Sequence, residues 1–156
     1  MTDPVKEFLS SLWEMRLEAD RLRERTRELY DATQRITGNY ESIHVSGTPE
    51  TGKLLTLYAD AAAREERRQA ECLAREKEIE EFLDRMEGGP RGIYRTILRL
   101  RYISCLSWPR IQAILQAGEG DTDYSDRHIY RFHGEALNAA RRLWAAEHNT
   151  EGDNNG

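Results

Sequence analysis

Two arginines, Arg127 and Arg131, stand four residues apart in the run Ser125-Asp-Arg-His-Ile-Tyr-Arg-Phe-His-Gly-Glu-Ala-Leu137. On a helix that spacing puts both on one face. A guanidinium can fork onto guanine O6 and N7 or clamp a phosphate, so the pair suits duplex DNA. Ser125 is placed to cap such a helix, and its hydroxyl with the free N–H groups of the first turn suits a phosphate. Asp126, Arg127, Tyr130, Arg131, Gly134, Asn138 and Arg141 are not needed by a core, and His128 falls at the edge. Gly134 leaves room for a close approach to the backbone. Upstream, Arg91, Arg95, Arg99, Arg101 and Arg110 read as phosphate contacts, which supply affinity rather than sequence discrimination. The expected DNA-contacting set is Ser125, Asp126, Arg127, His128, Tyr130, Arg131, Arg110, Arg95 and Arg99.

Other chemistries find little footing. His128 and His133 are five apart, roughly 140° round a helix, and cannot share a metal. His44 and His148 are isolated. Cys72 and Cys105 have no metal-site or disulfide-framework spacing and read as small apolar residues of a reduced compartment. Gly47-Thr-Pro-Glu-Thr-Gly-Lys53 fits the glycine–lysine pattern of a phosphate-binding loop. Leu54 stands where a Mg²⁺-binding Ser or Thr is needed, Pro49 removes a cradle N–H, and no parallel sheet follows. No catalytic group, metal or cofactor is therefore expected, and the chain does not read as an enzyme.

These residues need helices to position them. From Val5 to Ile36, Val5, Phe8, Leu12, Met15, Ala19, Leu22, Thr26, Leu29, Thr33 and Ile36 recur in steps of three and four, a heptad seam. Residues 37–53 form a connection, with a short alternating run Tyr40 to Val45 and a helix opening at Pro49. A second helix follows to Glu87, with Leu55, Tyr58, Ala62, Cys72, Ile79, Leu83 and Met86 on one stripe and Glu65, Gln69 and Glu76 interrupting it. Two such helices fold back as an antiparallel hairpin, and the polar positions leave pairing with a second copy open.

Gly88-Gly89-Pro90 marks a boundary. Three shorter helices are expected beyond it. The first spans Pro90 to Ser104, with Ile93, Ile97, Leu100 and Ser104 on one face. The second begins at the Ser107 cap, with Leu106 and Ile111 as a hydrophobic staple. The third begins at the Ser125 cap, with Tyr124 and Ile129 as its staple. Ile129, Phe132, Ala136, Leu137, Ala140 and Trp144 form the core face of the third, across the breaker-rich loop Gly118 to Asp123. Trp108 and Trp144 read as packing residues, and Trp13 as a candidate anchor for a partner. A helix, a turn and a capped second helix describe a helix-turn-helix, which places the start of its last helix in the major groove.

The chain has 156 residues, 38% hydrophobic and 33% charged, with 23 Lys and Arg against 28 Asp and Glu. The net charge of -5 argues against nucleic-acid binding when taken whole. Its distribution reverses that: residues 1–89 carry 14 basic and 20 acidic groups, and residues 90–148 carry 9 basic groups, all Arg, and 6 acidic. An acidic part thus precedes a basic one. No apolar run is long enough to cross a membrane, and no signal peptide is read at the N-terminus.

The run from Ser125 to Leu137 resembles the recognition helix of the promoter −35-reading region of bacterial sigma factors. Leu98-Arg-Leu-Arg-Tyr-Ile103, Ser107-Trp-Pro-Arg-Ile111 and the ending Tyr124-Ser…Ile-Tyr-Arg-Phe-His-Gly-Glu-Ala-Leu137 look like phage late-gene transcriptional activators of the RinA/ArpU type. The resemblance covers roughly residues 93–142. It departs at Pro109 and Arg110, where acidic residues are common, and in the loop Gln116 to Tyr124, longer than a sigma-type turn. It implies sequence-specific DNA binding and regulation of phage transcription, carried by Ser125, Asp126, Arg127, His128, Tyr130 and Arg131.

The expectation is an all-α protein: a coiled-coil-like hairpin over residues 1–88 for oligomerisation or partner contact, a DNA-binding helix-turn-helix over 89–148, and a disordered tail over 149–156. Double-stranded DNA is the expected partner, RNA polymerase a further candidate, and a homo-oligomer, a dimer above all, the expected form in the cytoplasm of a bacterial host. Two rival readings are a packaging-type DNA binder resembling a terminase small subunit, which assembles as a ring, and a regulator that binds RNA polymerase without reading DNA.

Overall fold

The computed structural model describes residues 2–38, 49–118 and 124–152. Helices α1 (Pro4–Gly38) and α2 (Pro49–Arg85) are followed by a 3₁₀ turn (Pro90–Gly92), α3 (Ile93–Leu98), a π-helical turn (Arg99–Ile103), α4 (Trp108–Gly118) and α5 (Asp126–Gly152). The fold is all-α, with no strand among the described residues. The run Tyr40 to Val45 and most of the loops 37–48 and 119–123 lie outside the described residues. Pro49 opens α2 as expected, and Thr51, Gly52 and Lys53 are already helical. Pro49, Glu50 and Thr51, which a phosphate-cradling loop would wrap round the anion, are instead part of the helix.

The chain divides into two compact units, residues 14–74 and residues 2–13 with 75–152. In the first, partners descend along α2 as they ascend along α1, so the pair is antiparallel. Glu18 meets Arg68 at 2.5 Å, Arg23 lies 3.7 Å from Glu65, and the Tyr30 and Tyr58 rings are 5.8 Å apart. The α1 seam is buried at Ala19, Leu29 and Thr33, with Met15, Leu22, Thr26 and Ile36 half-buried. The Thr26 and Thr33 hydroxyls donate back to the Leu22 and Tyr30 carbonyls, at 2.8 and 2.6 Å, so the hydroxyls do not go unsatisfied in the seam. In α2, Leu55 does not join the stripe. It is 52% exposed, while Leu54, Tyr58 and Ala61 turn inward. A straight helix drifts by about 20° per heptad from a seven-residue repeat, enough between Cys72 and Leu55 to shift the buried line by one position.

In the second unit α1 starts at Asp3, whose Oδ1 accepts the Val5 and Lys6 N–H groups at 3.2 and 3.4 Å. Val5, Leu9 and Leu12 of α1 and Ile79, Phe82, Leu83 and Met86 of α2 are buried. Phe8, Phe82 and Trp144 of α5 form an aromatic cluster with centroids 5.3–6.0 Å apart. The glycines after α2 end that helix, as the sequence indicates, but they do not divide the core. The ends of both long helices belong to the same compact unit as the three shorter ones.

Two local features depart from the expected helix over Pro90 to Ser104. Arg91 and Gly92 have φ near +54° and +71°, so only a 3₁₀ turn forms there and α3 starts at Ile93. The Ser104 N–H then donates to the Arg99 carbonyl at 2.9 Å, five residues back, which widens the last turn to a π-helix. That extra residue rotates the register. Tyr102 and Ile103 become buried, Leu100 is half-buried, and Ser104, expected on the inner face, is exposed. The turn ends at Cys105 with φ near +55°, a position usually held by glycine, while the Leu106 N–H reaches the Leu100 carbonyl at 3.0 Å. At the other end of the unit α5 continues to Gly152, into the stretch 149–156 expected as a disordered tail. Residues 153–156 lie outside the described residues.

Candidate nucleic-acid interface

Both serines stand at N-cap positions. The Ser107 carbonyl accepts the Ile111 N–H and the Ser125 carbonyl the Ile129 N–H, each at 3.0 Å, so these carbonyls accept the first hydrogen bonds of α4 and α5. Leu106, Ile111 and Tyr124 pack in one cluster with Ile93, Ile97, Leu115, Trp108 and Phe132. Ile129 is buried at 2% exposure, as are Ala136, Leu137, Ala139 and Ala140 further along α5. This packing turns the remaining face of α5 outward.

Arg127, Tyr130 and Arg131 are exposed on that face, and Tyr130 keeps 55% of its surface. At about 100° per residue, Tyr130, Gly134, Arg127 and Arg131 fall within a sector of about 100°. Arg127 makes no ion pair or hydrogen bond among the described residues, and neither does Arg110 on α4. Arg131 lies 3.8 Å from the half-buried Glu135, whose carboxylate also accepts the Tyr94 hydroxyl at 2.9 Å, and 5.2 Å over the Phe132 ring. An i,i+4 pair of this length with the arginine exposed holds it weakly. Asp126 is exposed at the positive end of the α5 dipole. Above Gly134 the space is open: a Cβ there would meet nothing within 4 Å.

Ser125 and His128 are tied together. The Ser125 hydroxyl lies 2.9 Å from Nδ1 of the half-buried His128, so the hydroxyl expected to greet a phosphate is engaged with the imidazole.

Three arginines are occupied elsewhere. Arg95 is half-buried, with Nε 3.0 Å from both the Leu83 and Met86 carbonyls and Nη2 also donating to Met86. It supplies the Met86 carbonyl, just past the end of α2, and adds a second donor to the Leu83 carbonyl, which already accepts the Met86 N–H at 3.2 Å. Arg99 lies 2.8 Å from Glu80 and 2.5 Å from Asp84, and the Glu80 hydrogen bond raises its pKa further. Both were expected to grip phosphate, and both instead bind α3 and the π-turn to α2. Arg141, expected to face outward freely, binds Asp3 through Nε and Nη2 at 2.9 and 2.7 Å and lowers the Asp3 pKa.

Spacing alone did not show the support behind Tyr130. The Trp108 indole lies 5.4 Å from the Tyr130 ring and 4.7 Å from the His133 ring. The Arg101 guanidinium sits 4.7 Å over the indole and donates to the Leu106 carbonyl at 2.9 Å. Arg101 is thus a strut under the aromatic stack rather than a free cation. His133 in turn sits 2.8 Å from the Tyr102 hydroxyl. Burial, reinforced by the charges of Lys6, Arg101 and Arg141, pushes its pKa down to about 4. The Tyr102 hydroxyl is pushed the other way, chiefly by burial.

Among the described residues no group of three or more His, Cys, Asp or Glu side chains could hold a metal, and no helix is long and apolar enough to cross a membrane. What α5 offers is a compact outward face of two guanidiniums, one braced aromatic ring and one bare stretch of backbone. No protein-family model, curated protein or solved structure matches the chain.

Proposed function

We propose that this chain is a non-enzymatic, sequence-specific binder of double-stranded DNA that regulates transcription of phage or prophage genes. The observation that carries the reading is the outward face of the first turns of α5. Arg127 and Arg131 project there, four residues apart and clear of the core, on a helix that follows α4 in the order of a helix-turn-helix. In the groove, Arg127 and Arg131 would read base edges, with Tyr130 between them in sequence and Arg110 on a phosphate. Asp126 and the Ser125–His128 pair border the same end. Arg95 and Arg99 leave the contacting set and serve the fold. The resemblance of residues 93–142 to phage late-gene activators supports the same assignment.

A module of modest positive charge needs help to bind tightly. Two copies, each holding one half-site, multiply affinity without a new contact, and the acidic hairpin is the part of the chain available for that pairing. The cytoplasm of a bacterial host is the corresponding location, and RNA polymerase is the partner a DNA-bound regulator would address.

The test is binding of the full chain to random-sequence duplexes, followed by sequencing of those retained. Enrichment of one motif, lost in Arg127→Ala with Arg131→Ala, supports the reading. Binding without sequence preference, or an unchanged motif and affinity in the double variant, overturns it.

A further inference from the structure

We infer that Tyr130 and Gly134 together form a methyl-sized notch that reads the C5 methyl of a thymine, making them specificity determinants alongside the two arginines. The inference rests on α5 being the helix that enters the groove. Tyr130 and Gly134 are one turn apart on the same face. The Tyr130 ring does not cover Gly134, since a Cβ placed on Gly134 would meet nothing within 4 Å. The ring leans instead on the Trp108 indole, with centroids 5.4 Å apart and planes at 60°. Trp108 cannot follow if the ring is pushed. It is held by Arg101 at 4.7 Å on one side and by the His133 ring at 4.7 Å on another.

The result is a shallow recess with an exposed aromatic wall and a floor of bare helix backbone, with Arg127 and Arg131 next to it on the Gly134 side. Its chemistry is apolar beside two cations. In the major groove the one apolar group a base pair presents is the thymine methyl, and apolar side chains read it by contact. The glycine is needed for this: a mid-helix glycine costs about 1 kcal/mol against alanine, and nothing in the fold fills the space it leaves. Tyr130 acts through its ring and not its hydroxyl, so phenylalanine should serve equally well. Trp108 and Arg101 are positioning residues, acting on the base only through Tyr130.

The experiment uses the full chain and the tightest duplexes retained from a random library, each thymine in them replaced in turn by uracil, which removes only the methyl. Burial of one methyl group predicts about a fourfold loss of affinity at one thymine per half-site. That loss should persist in Tyr130→Phe and vanish in Tyr130→Ala and in Gly134→Ala, whose own methyl fills the recess. Circular dichroism and thermal melting of each variant separate misfolding from a change of readout, and Gly134→Ala should melt higher than the parent. Equal affinity for every uracil duplex, a retained motif without thymine, or a methyl effect that survives Tyr130→Ala overturns the inference while leaving DNA reading by Arg127 and Arg131 intact. Absence of any preferred motif overturns the underlying reading and this inference with it.

Discussion

The phenol oxygen of Tyr102 lies 2.8 Å from Nε2 of His133, joining the π-turn before α4 to the middle of α5. A neutral imidazole accepts the phenol proton at that nitrogen. An imidazolium cannot accept it, and would add a positive charge beside Lys6, Arg101 and Arg141.

The fold should therefore weaken in mild acid. The folded-state pKa of His133 is about 4 against 6.5 for the ordinary imidazole. Between those values the unfolded chain binds a proton that the folded chain refuses, so stability is lost as pH falls from 6.5 towards 4. Urea midpoints measured at pH 7 and pH 4.5 should differ more for the parent than for His133→Gln. Equal pH dependence in the two proteins would contradict the assignment.

The glycines after α2 should differ sharply in tolerance. A Cβ on Gly89 would come within 2.5 Å of the Tyr94 ring, at a φ of +70°, while Gly92 at +71° has open space around it. Left-handed backbone costs an ordinary residue roughly 1–2 kcal/mol, and the clash adds to that at Gly89 alone. Gly92→Ala should lose about 1 kcal/mol and Gly89→Ala at least about 3 kcal/mol, read from chemical denaturation.

The arginines should separate into two classes. Arg95→Ala strips the Met86 carbonyl of its guanidinium donors and the Leu83 carbonyl of its second donor, and should cost about 2 kcal/mol of stability. Arg127→Ala touches no partner among the described residues and should change stability by less than about 0.5 kcal/mol. The order reverses for DNA: affinity measured well below the melting temperature should fall in Arg127→Ala and hold in Arg95→Ala. Equal effects on both properties would undo the division.

The oligomeric state discriminates between the modes of DNA use. Light scattering of the full chain should give the mass of a dimer, two times 18.1 kDa. A ring-sized mass would favour the packaging reading. Salt dependence adds a second check, since losing one phosphate contact at Arg110 should flatten the slope of log affinity against log salt by about one.

What the sequence disclosed follows from how local each signal is. The caps at Ser107 and Ser125 and the core face of α5 depend on residues within one or two turns, and they stand where the pattern placed them. The roles of Arg95, Arg99 and Arg141 depend on residues between 9 and 138 positions away. An arginine recruited to cap a distant helix has the same local spacing as one left free, so all three read as available cations. The π-turn was hidden for a different reason. One inserted residue leaves the apolar composition of Arg99–Ile103 unchanged while it rotates everything after it, which is why Ser104 was placed inside. The aromatic stack under Tyr130 needed the packing of α4 against the π-turn and α5, and periodicity along one helix carries no trace of it.

Fluorescence anisotropy of the full chain on its selected duplex, with and without Arg127→Ala and Arg131→Ala together, bears most directly on the DNA assignment. Each arginine forked onto a guanine accounts for about 1–3 kcal/mol. The double variant should bind at least about thirtyfold more weakly, with the melting temperature of the free protein unchanged. Affinity within twofold of the parent would show that the outward face of α5 does not read DNA.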